Sequence, residues 1–277
     1  MRGLDGIAGD ADGDGVPDSA DACPSVDASF LDRDGDGCID GAAGARHTEF
    51  WAASDLPFVY YVQEDGAGGI TDGSDFTAIQ NGMNAWAAIP GVDFTVTYGG
   101  TIAQQDADAI DRMNMVTFSD DEYPFPSAVL AVGISTSFTV DSTYDEVFYR
   151  PGQIIDADMI FNPAMSLRTP TSGTGSFDIQ SIATHEAGHL FGIAHSAVRS
   201  STMFYVLPGG TAATSLEAED IEVFFKAYGD PAALANANRI EGTVDHGQTG
   251  QGVAGAAVFA IDAAGGDTVA CEYTFPD

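Results

Sequence analysis

The sequence has very few basic residues, and this scarcity excludes two classes of partner. Lys226 is the only lysine, and 9 Lys and Arg residues stand against 42 Asp and Glu, giving a formal net charge of −33 over 277 residues. Binding a phosphate backbone needs a basic surface, so we expect no nucleic-acid partner. An anionic membrane surface would repel the chain for the same reason.

Long apolar runs are also missing. No stretch approaches the roughly 18 to 20 apolar residues of a membrane span. The acidic, Gly-rich N-terminus lacks the apolar region of a secretory signal. We therefore expect no membrane span, and a sequence that begins after an export signal or without one. With 44% hydrophobic and 10% aromatic residues, the chain can still bury a core of ordinary size.

Composition divides the chain into three parts. Residues 1–45 are rich in Asp and Gly, residues 46–235 carry nearly all the aromatic side chains, and residues 236–277 are small and Gly-rich. We expect one domain in each part. The three cysteines allow at most one disulfide within the chain, and Cys23 with Cys38 is the expected pair.

The first part contains carboxylates at the spacing of a calcium loop. Positions 1, 3, 5, 9 and 12 are Asp10, Asp12, Asp14, Asp18 and Asp21, with Gly15 at position 6 for the sharp turn. A second, incomplete copy consists of Asp32, Asp34, Asp36 and Asp40, with Ala43 at position 12. The pair resembles thrombospondin type-3 repeats, which implies bound Ca²⁺. The alternative is a solvated acidic linker.

The central part alternates strands and helices. Apolar runs and period-two alternation predict strands over residues 57–63, 92–98, 113–118, 127–135 and 153–161. Helical spacing predicts helices over residues 75–88, 178–191 and 216–228. Asp178 is a plausible N-cap of the second helix, and Gly229 is the C-terminal stop of the third.

Residues 185–195 read His-Glu-Ala-Gly-His-Leu-Phe-Gly-Ile-Ala-His. On a helix, His185 and His189 leave the same face and can reach one ion. Gly192 permits the chain to turn back, so that His195 closes a three-histidine site with a fourth position open for water. That arrangement is typical of catalytic zinc. Glu186 stands beside the ligands and can act as the general base.

This motif is the metzincin signature, and residues 200–205 resemble the Met-turn of that family, with Met203 as an apolar floor beneath the histidines. The interval of eight residues from His195 to Met203 and the segment 216–229 resemble matrixins in particular. The resemblance covers roughly residues 50–232. It implies an α+β metzincin (zincin-like) domain, in which a twisted, mostly parallel five-stranded sheet with an antiparallel edge strand packs against three helices.

The resemblance also implies roles for residues outside the motif. Asp220 would brace the fold by an ionic contact near the Met-turn or the mature N-terminus. Tyr205 follows Met203 by two residues, as in astacins and serralysins, and would stabilise the oxyanion or instead form a wall of the specificity pocket. The edge strand would align an extended peptide through Ala128, Val129, Leu130, Ala131, Val132 and Gly133.

Only two histidines lie outside the motif, His47 and His246. We therefore predict one catalytic zinc ion and no structural zinc ion. In the last part, predicted strands at 240–244, 253–261 and 268–273 are similar to those of carboxypeptidase regulatory-like modules. We expect the start of a small β-sandwich that is truncated here.

Together these features predict a secreted or cell-surface zinc metalloendopeptidase, monomeric, that acts on protein or peptide substrates. One alternative is a calcium-dependent surface or adhesion protein with a non-catalytic zincin core. Glu186 argues against it, because a binding module has no use for a base at that position. Another alternative is a zinc hydrolase that acts on a non-peptide amide.

Overall fold

The computed structural model describes residues 49–107, 110–196, 198–207, 210–211, 213–235, 240, 242–253, 256–265 and 268–273. The chain divides into two compact units, one of which is the continuous segment Ala45–Ala237. The described residues of the other unit belong to the C-terminal segment. The predicted calcium ligands, Cys23 and Cys38, and His47 lie outside the described residues, and the predicted domain boundaries stay predictions.

Strands and helices alternate along the described part of the larger unit. Its strands are β1 (Phe58–Gln63), β2 (Val96–Ile102), β3 (Met115–Thr117), β4 (Ala131–Ser137), β5 (Ser142–Tyr144), β6 (Val147–Tyr149), β7 (Ile154–Phe161), β8 (Leu167–Arg168) and β9 (Phe177–Asp178). Its helices are α1 (Ser74–Ala87), α2 (Ile179–Leu190), α3 (Ala218–Tyr228) and the short α4 (Pro231–Ala235).

Five of the strands form one mixed sheet in the order β2-β1-β3-β7-β4. The first four run parallel to one another. Strand β4 lies at the edge and is antiparallel to β7, with Ala131 opposite Phe161 and Ser137 opposite Ile154. Strand β7 is buried along nearly its whole length, as expected for a strand covered on both faces. The predicted five-stranded sheet with an antiparallel edge is confirmed.

Helices α1 and α2 pack closely together. Gly82 makes this approach possible, since a Cβ there would lie 2.8 Å from the Cβ of Ala183. Trp86 is fully buried between the helices, and its indole N–H donates to the carbonyl of Thr184 at 2.8 Å. Its ring also lies 5.1 Å from the ring of Phe224 on α3. Helix α2 is thus packed closely against α1, and most of its residues are buried. Within the described ranges, no helix is long and apolar enough to cross a membrane.

The segment predicted as a strand over 92–98 pairs with β1 only from Val96 onward. Phe94 is buried instead, with its ring 4.7 Å from Phe191 and 4.5 Å from Tyr228. Val92 forms an isolated bridge with Gly229. The apolar alternation here therefore marks contacts with the core and not a continuous ladder.

The edge strand also begins later than predicted. Strand β4 starts at Ala131, so Ala128, Val129 and Leu130 precede it. The backbone and side-chain amides of Asn162 donate to the carbonyls of Leu130 and Val129, at 2.9 and 2.8 Å. Val129 and Leu130 are thereby held by Asn162 and not by pairing within the sheet.

The C-terminal segment contains an antiparallel hairpin of β10 (Ala257–Ile261) and β11 (Thr268–Tyr273). The second of these strands has the predicted bounds. The first begins at Ala257 and not at 253, and residues 242–244, predicted as part of a strand, are not in one. Membership of a β-sandwich stays a prediction.

Candidate active site

Helix α2 carries the first part of the histidine motif. The carboxylate of Asp178 accepts a hydrogen bond from the amide of Ser181 at 2.9 Å, which confirms Asp178 as the N-cap. The helix then includes His185, Glu186 and His189. Because a spacing of four residues is about one turn, both imidazoles leave the same face.

The chain reverses immediately after this helix. Gly192 has a φ of 86°, a conformation that glycine adopts at little cost. A Cβ on Gly192 would also overlap the carbonyl of Glu49, which lies directly against the turn. Glycine is therefore required at this position for two independent reasons. The turn returns the chain so that His195 meets the two histidines of the helix.

The three imidazoles converge on one point. Nε2 of His195 lies 3.3 Å from Nε2 of His185 and 3.2 Å from Nε2 of His189. All three ligand atoms lie within 4.8 Å of one another. Ligand nitrogens at 2.0 to 2.1 Å from a tetrahedral zinc ion are separated by about 3.3 to 3.4 Å. The spacing therefore fits a single zinc ion.

Hydrogen bonds to main-chain carbonyls fix the orientation of two of the rings. Nδ1 of His185 lies 2.7 Å from the carbonyl of Thr202, and Nδ1 of His189 lies 2.7 Å from the carbonyl of Ile193. A carbonyl can only accept, so each Nδ1 carries the proton and donates it. Each Nε2 then keeps a free lone pair directed at the shared point, which is the form that ligates a metal.

The three histidines also have the charge that zinc binding requires. Burial lowers the pKa of His185. Burial, reinforced by the neighbouring histidines and opposed by Glu186, lowers the pKa of His189 to about 4. Burial and the nearby His185 lower the pKa of His195 to about 4. At neutral pH the rings are therefore uncharged, and no proton has to be displaced when a metal binds.

Glu186 is buried beside these ligands, with 6% of its surface exposed. Its Oε2 accepts a hydrogen bond from the amide of Gly133 at 2.7 Å. Burial raises the pKa of this carboxyl, although His189 and the hydrogen bond from Gly133 oppose the shift. A carboxyl whose pKa is raised above its usual range is suited to accepting and returning a proton near neutral pH.

Below the histidines lies the turn that contains Met203. The side chain of Met203 is fully buried and packs against Gly188, where a Cβ would overlap the sulfur. Thr202, the preceding residue, supplies the carbonyl that orients His185. The turn therefore supports the helix at Gly188 and orients a ring at the same time.

Asp220 on α3 holds this turn in place. Its carboxylate accepts from the hydroxyl of Ser201 at 2.5 Å, from the amide of Thr202 at 2.8 Å and from the amide of Met203 at 3.1 Å. It also accepts from the amide of Glu217 at 2.9 Å as part of a capping box. These donors are neutral groups of the turn and of the start of α3, and an ionic contact of Asp220 stays a prediction.

The remaining predicted residues lie around this centre. Tyr205 is 66% exposed, and its ring lies 4.4 Å from that of Phe204 at an interplanar angle of 46°. Both predicted roles of Tyr205 stay predictions. On β4, Ala131 is buried, and a Cβ on Gly133 would lie 2.7 Å from the carbonyl of Glu186. The edge strand β4 therefore lies directly against α2, which we call the zinc helix.

Three contributing groups have no signal in the sequence. The carbonyls of Thr202 and Ile193 and the amide of Gly133 belong to the main chain, which every residue type provides. Ile193 lies within the motif and Thr202 next to Met203, so their positions could have suggested a role, whereas Gly133 lies 53 residues from Glu186.

Comparison with known proteins agrees with this geometry. Residues 135–229 match the family model described as Matrixin. Residues 135–229 are matrixin-like. This matrixin-like segment begins within β4 and includes β7, the zinc helix, the turn at Met203 and α3.

Three curated plant relatives are similar over shorter stretches. Metalloendoproteinase 5-MMP of Arabidopsis thaliana is 35% identical over 74 residues, 27% of this chain and 21% of that protein. Metalloendoproteinase 1 of Glycine max is 38% identical over 61 residues, 22% of this chain and 20% of that protein. Metalloendoproteinase 2-MMP of Arabidopsis thaliana is 35% identical over 75 residues, 27% of this chain and 20% of that protein. The chain thus spans about a fifth of the length of these relatives.

Proposed function

We propose that this chain is a secreted zinc-dependent endopeptidase. The observation that carries the proposal is the convergence of three neutral imidazoles on one point beside the buried carboxyl of Glu186. The matrixin-like segment and the metalloendoproteinase relatives support peptide-bond hydrolysis over reaction with a non-peptide amide.

A zinc ion held by His185, His189 and His195 would supply Lewis acidity toward water and toward the scissile carbonyl. Glu186 accepts the proton of the attacking water at its carboxylate and returns it to the leaving nitrogen. The carbonyls of Thr202 and Ile193 keep one proton on Nδ1 of each of two ligand rings. These rings therefore do not compete with Glu186 for the proton of the attacking water.

The edge strand β4 is proposed to align the substrate. An extended peptide adds to such an edge by main-chain hydrogen bonds. Because β4 begins at Ala131, we assign this role to Ala131, Val132 and Gly133 and withdraw it from residues 128–130. Binding there brings the peptide alongside Glu186, since Gly133 already touches that carboxyl.

Tyr205 is the candidate for stabilising the oxyanion. Its ring is exposed, so its hydroxyl is accessible to a bound substrate. Replacing Tyr205 with Phe removes only the hydroxyl, so kcat should fall about 100-fold while zinc affinity is unchanged. An unchanged kcat would assign Tyr205 to the pocket wall.

The N-terminal segment is proposed to bind calcium. The support is the spacing of Asp10, Asp12 and Asp14 with Gly15 at the turn position. Calorimetric titration of the full chain with Ca²⁺ should give tight binding that Asp14→Ala weakens. Binding that is equal in the two proteins would leave the segment as an acidic linker.

Two further proposals concern the state of the protein. We infer a secreted or cell-surface location and a monomer, both from the sequence-level resemblance.

The buried Glu186 argues against the alternative of an adhesion protein with a non-catalytic core. Burial of a carboxyl lowers the stability of the fold, and a binding module has no function that requires it.

Incubation with an unfolded protein substrate in zinc and calcium tests the proposal. The wild-type chain should cut within the substrate, and His189→Ala should lose both zinc and cleavage. His246→Ala, which changes an exposed histidine of the C-terminal segment, should cleave like the wild type. Equal cleavage by His189→Ala and wild type would contradict the proposal and indicate a contaminating protease.

A further inference from the structure

Glu49 makes contacts with two different parts of the candidate active site. Its carboxylate accepts a hydrogen bond from the hydroxyl of Ser137 at 2.6 Å and another from the hydroxyl of Ser135. Its own carbonyl lies against Gly192, in the space where any other residue would place a Cβ. The side chain therefore meets the edge strand, and the backbone meets the turn that leads to His195.

Hydrogen bonds to the rest of the fold hold Glu49 in this position. The next residue, Phe50, donates from its amide to the carbonyl of Gly152 and accepts from the amide of Ile154, both at 2.8 Å. Trp51 donates from its indole to the carbonyl of Leu190 at 2.9 Å, at the last turn of the zinc helix. Residues 49–51, which we call the strap, are thus joined both to the start of β7 and to the end of α2.

The edge strand needs such support on its inner face. Among the described strands, only β7 pairs with β4, so contacts outside the sheet hold the other side of β4 over α2. Ser135 and Ser137 point to the same face as Gly133, because side chains alternate along a strand. Hydrogen bonds from hydroxyls to a carboxylate are charge-assisted and stronger than those between neutral groups.

The position of β4 directly affects the candidate base. The amide of Gly133 donates to Glu186 at 2.7 Å. A Cβ on Gly133 would lie 2.9 Å from the Cβ of His189, so strand and helix are in close contact without a side chain between them. A displacement of about 1 Å at such a site can lower a rate about 100-fold.

We propose that Glu49 is a positioning residue, which fixes the edge strand relative to the zinc helix and so holds the Gly133 amide against Glu186. The inference rests on the proposed peptidase function. It predicts that the hydrogen-bonding side chain at residue 49 acts through Ser135 and Ser137, two and four residues beyond the amide that it positions.

The test compares four full-length proteins with the wild type. Glu49→Ala removes the acceptor. Glu49→Gln keeps one acceptor oxygen and adds an amide that can donate to the second serine. A double variant that combines Ser135→Ala with Ser137→Ala removes both donors and leaves the strap intact. Glu64→Ala is the matched control, because Glu64 is an exposed glutamate directly after β1.

Two measurements are made on each protein. The first is kcat and KM for an internally cleaved peptide, with zinc bound. The second is amide hydrogen exchange of the zinc-free protein, resolved to β4, α1 and α2. Exchange needs neither zinc nor turnover, so it reports on the edge strand even if the chain proves not to be a peptidase.

We expect kcat of Glu49→Ala to be about 10- to 100-fold lower, with a much smaller change in KM. Exchange should be faster in β4 and unchanged in α1. The serine pair should behave like Glu49→Ala, while Glu49→Gln should recover most of the activity, and Glu64→Ala should match the wild type. If Glu49→Ala fails to fold, the serine pair carries the same comparison.

The proposal is overturned if Glu49→Ala and the serine pair match the Glu64→Ala control in both measurements. It is also overturned if exchange rises equally in β4, α1 and α2, because that pattern indicates a general loss of stability. A wild-type protein that cleaves nothing would refute the peptidase function, whereas exchange would still decide whether Glu49 fixes the edge strand.

Discussion

The carboxylate of Asp220 accepts a hydrogen bond from the amide of Thr202 at 2.8 Å, and the carbonyl of the same Thr202 meets Nδ1 of His185 at 2.7 Å. A single residue thus connects α3 to the first histidine of the candidate zinc site. Because Asp220, Ser201 and Thr202 are all buried, the hydroxyl of Ser201 and the amide of Thr202 cannot turn to water when the carboxylate is removed.

Replacement of Asp220 with Ala should therefore weaken both the fold and the metal site. The buried hydroxyl of Ser201 and the buried amide of Thr202 lose their acceptor, at about 1 to 3 kcal/mol each, so the free energy of unfolding should fall by about 2 kcal/mol or more. Zinc affinity should fall about 10- to 100-fold, because the group that orients His185 moves. Urea denaturation and zinc titration check both effects, with the exposed Asp121→Ala as control. Wild-type zinc affinity in Asp220→Ala would refute this link.

Alanine substitutions at two glycines distinguish backbone strain from steric overlap at the turn that follows α2. Gly192 and Gly210 have φ values of 86° and 87°, but a Cβ on Gly210 would meet no atom of the described residues within 4 Å. Alanine at either position incurs the left-handed penalty of about 1 to 2 kcal/mol. Gly192→Ala should lose more stability than Gly210→Ala, and should also lose zinc, because of the overlap with Glu49. Equal losses in thermal denaturation would mean that the overlap relaxes freely.

Alkaline pH should destabilise the fold through Tyr228. Its hydroxyl donates to the carbonyl of Phe191 at 2.8 Å and accepts from the amide of Trp51 at 3.2 Å. Burial raises the pKa of Tyr228 above its usual range, whereas the unfolded chain ionises near pH 10. The unfolded state therefore loses its proton first, so stability is fully present below about pH 10 and falls as pH rises further.

Tyr228→Phe checks this pH dependence. The variant should be about 1 to 2 kcal/mol less stable at neutral pH, because a carbonyl and an amide lose their partner. Its decline in stability above about pH 10 should be shallower than that of the wild type. Burial also raises the pKa of Tyr60, so some alkaline decline remains in the variant. Parallel curves for the two proteins in denaturant titrations would contradict the assignment.

Removal of zinc should lower the thermal unfolding midpoint. A ligand that binds only the folded chain stabilises it in proportion to the logarithm of its concentration over Kd. A chelator should therefore lower the midpoint of the wild type, and His195→Ala should show the lower midpoint with or without chelator. His246→Ala should respond like the wild type. A chelator effect of equal size in His195→Ala would place the bound metal elsewhere.

Most features of the zinc helix could be predicted from the sequence. The spacing of His185 and His189, the cap at Asp178 and the reversal at Gly192 are local features, and each depends on residue types that few other conformations favour. Apolar runs and alternation indicated the individual strands, whereas the five-stranded sheet with its antiparallel edge was implied by the resemblance to matrixins.

Other features depend on contacts between distant residues and were not predicted. The hairpin of β5 and β6 turns at Asp145 and Glu146 with φ values of 48° and 65°, without the Asn-Gly or Asp-Gly signal that such turns usually carry. The contact of Glu49 with Ser137 spans 88 residues, so no local pattern could indicate it. Apolar alternation at Phe94 likewise reflects an aromatic cluster formed with Phe191 and Tyr228.

The central claim is that Glu186 is the base of a zinc-dependent peptidase, and Glu186→Gln tests it most directly. Gln keeps the size of the side chain and an oxygen that can accept from Gly133, but it cannot take up a proton. With zinc content shown to be equal in the two proteins, kcat for an internally cleaved peptide should fall at least about 100-fold. A fully zinc-loaded Glu186→Gln that cleaves at the wild-type rate would contradict the account.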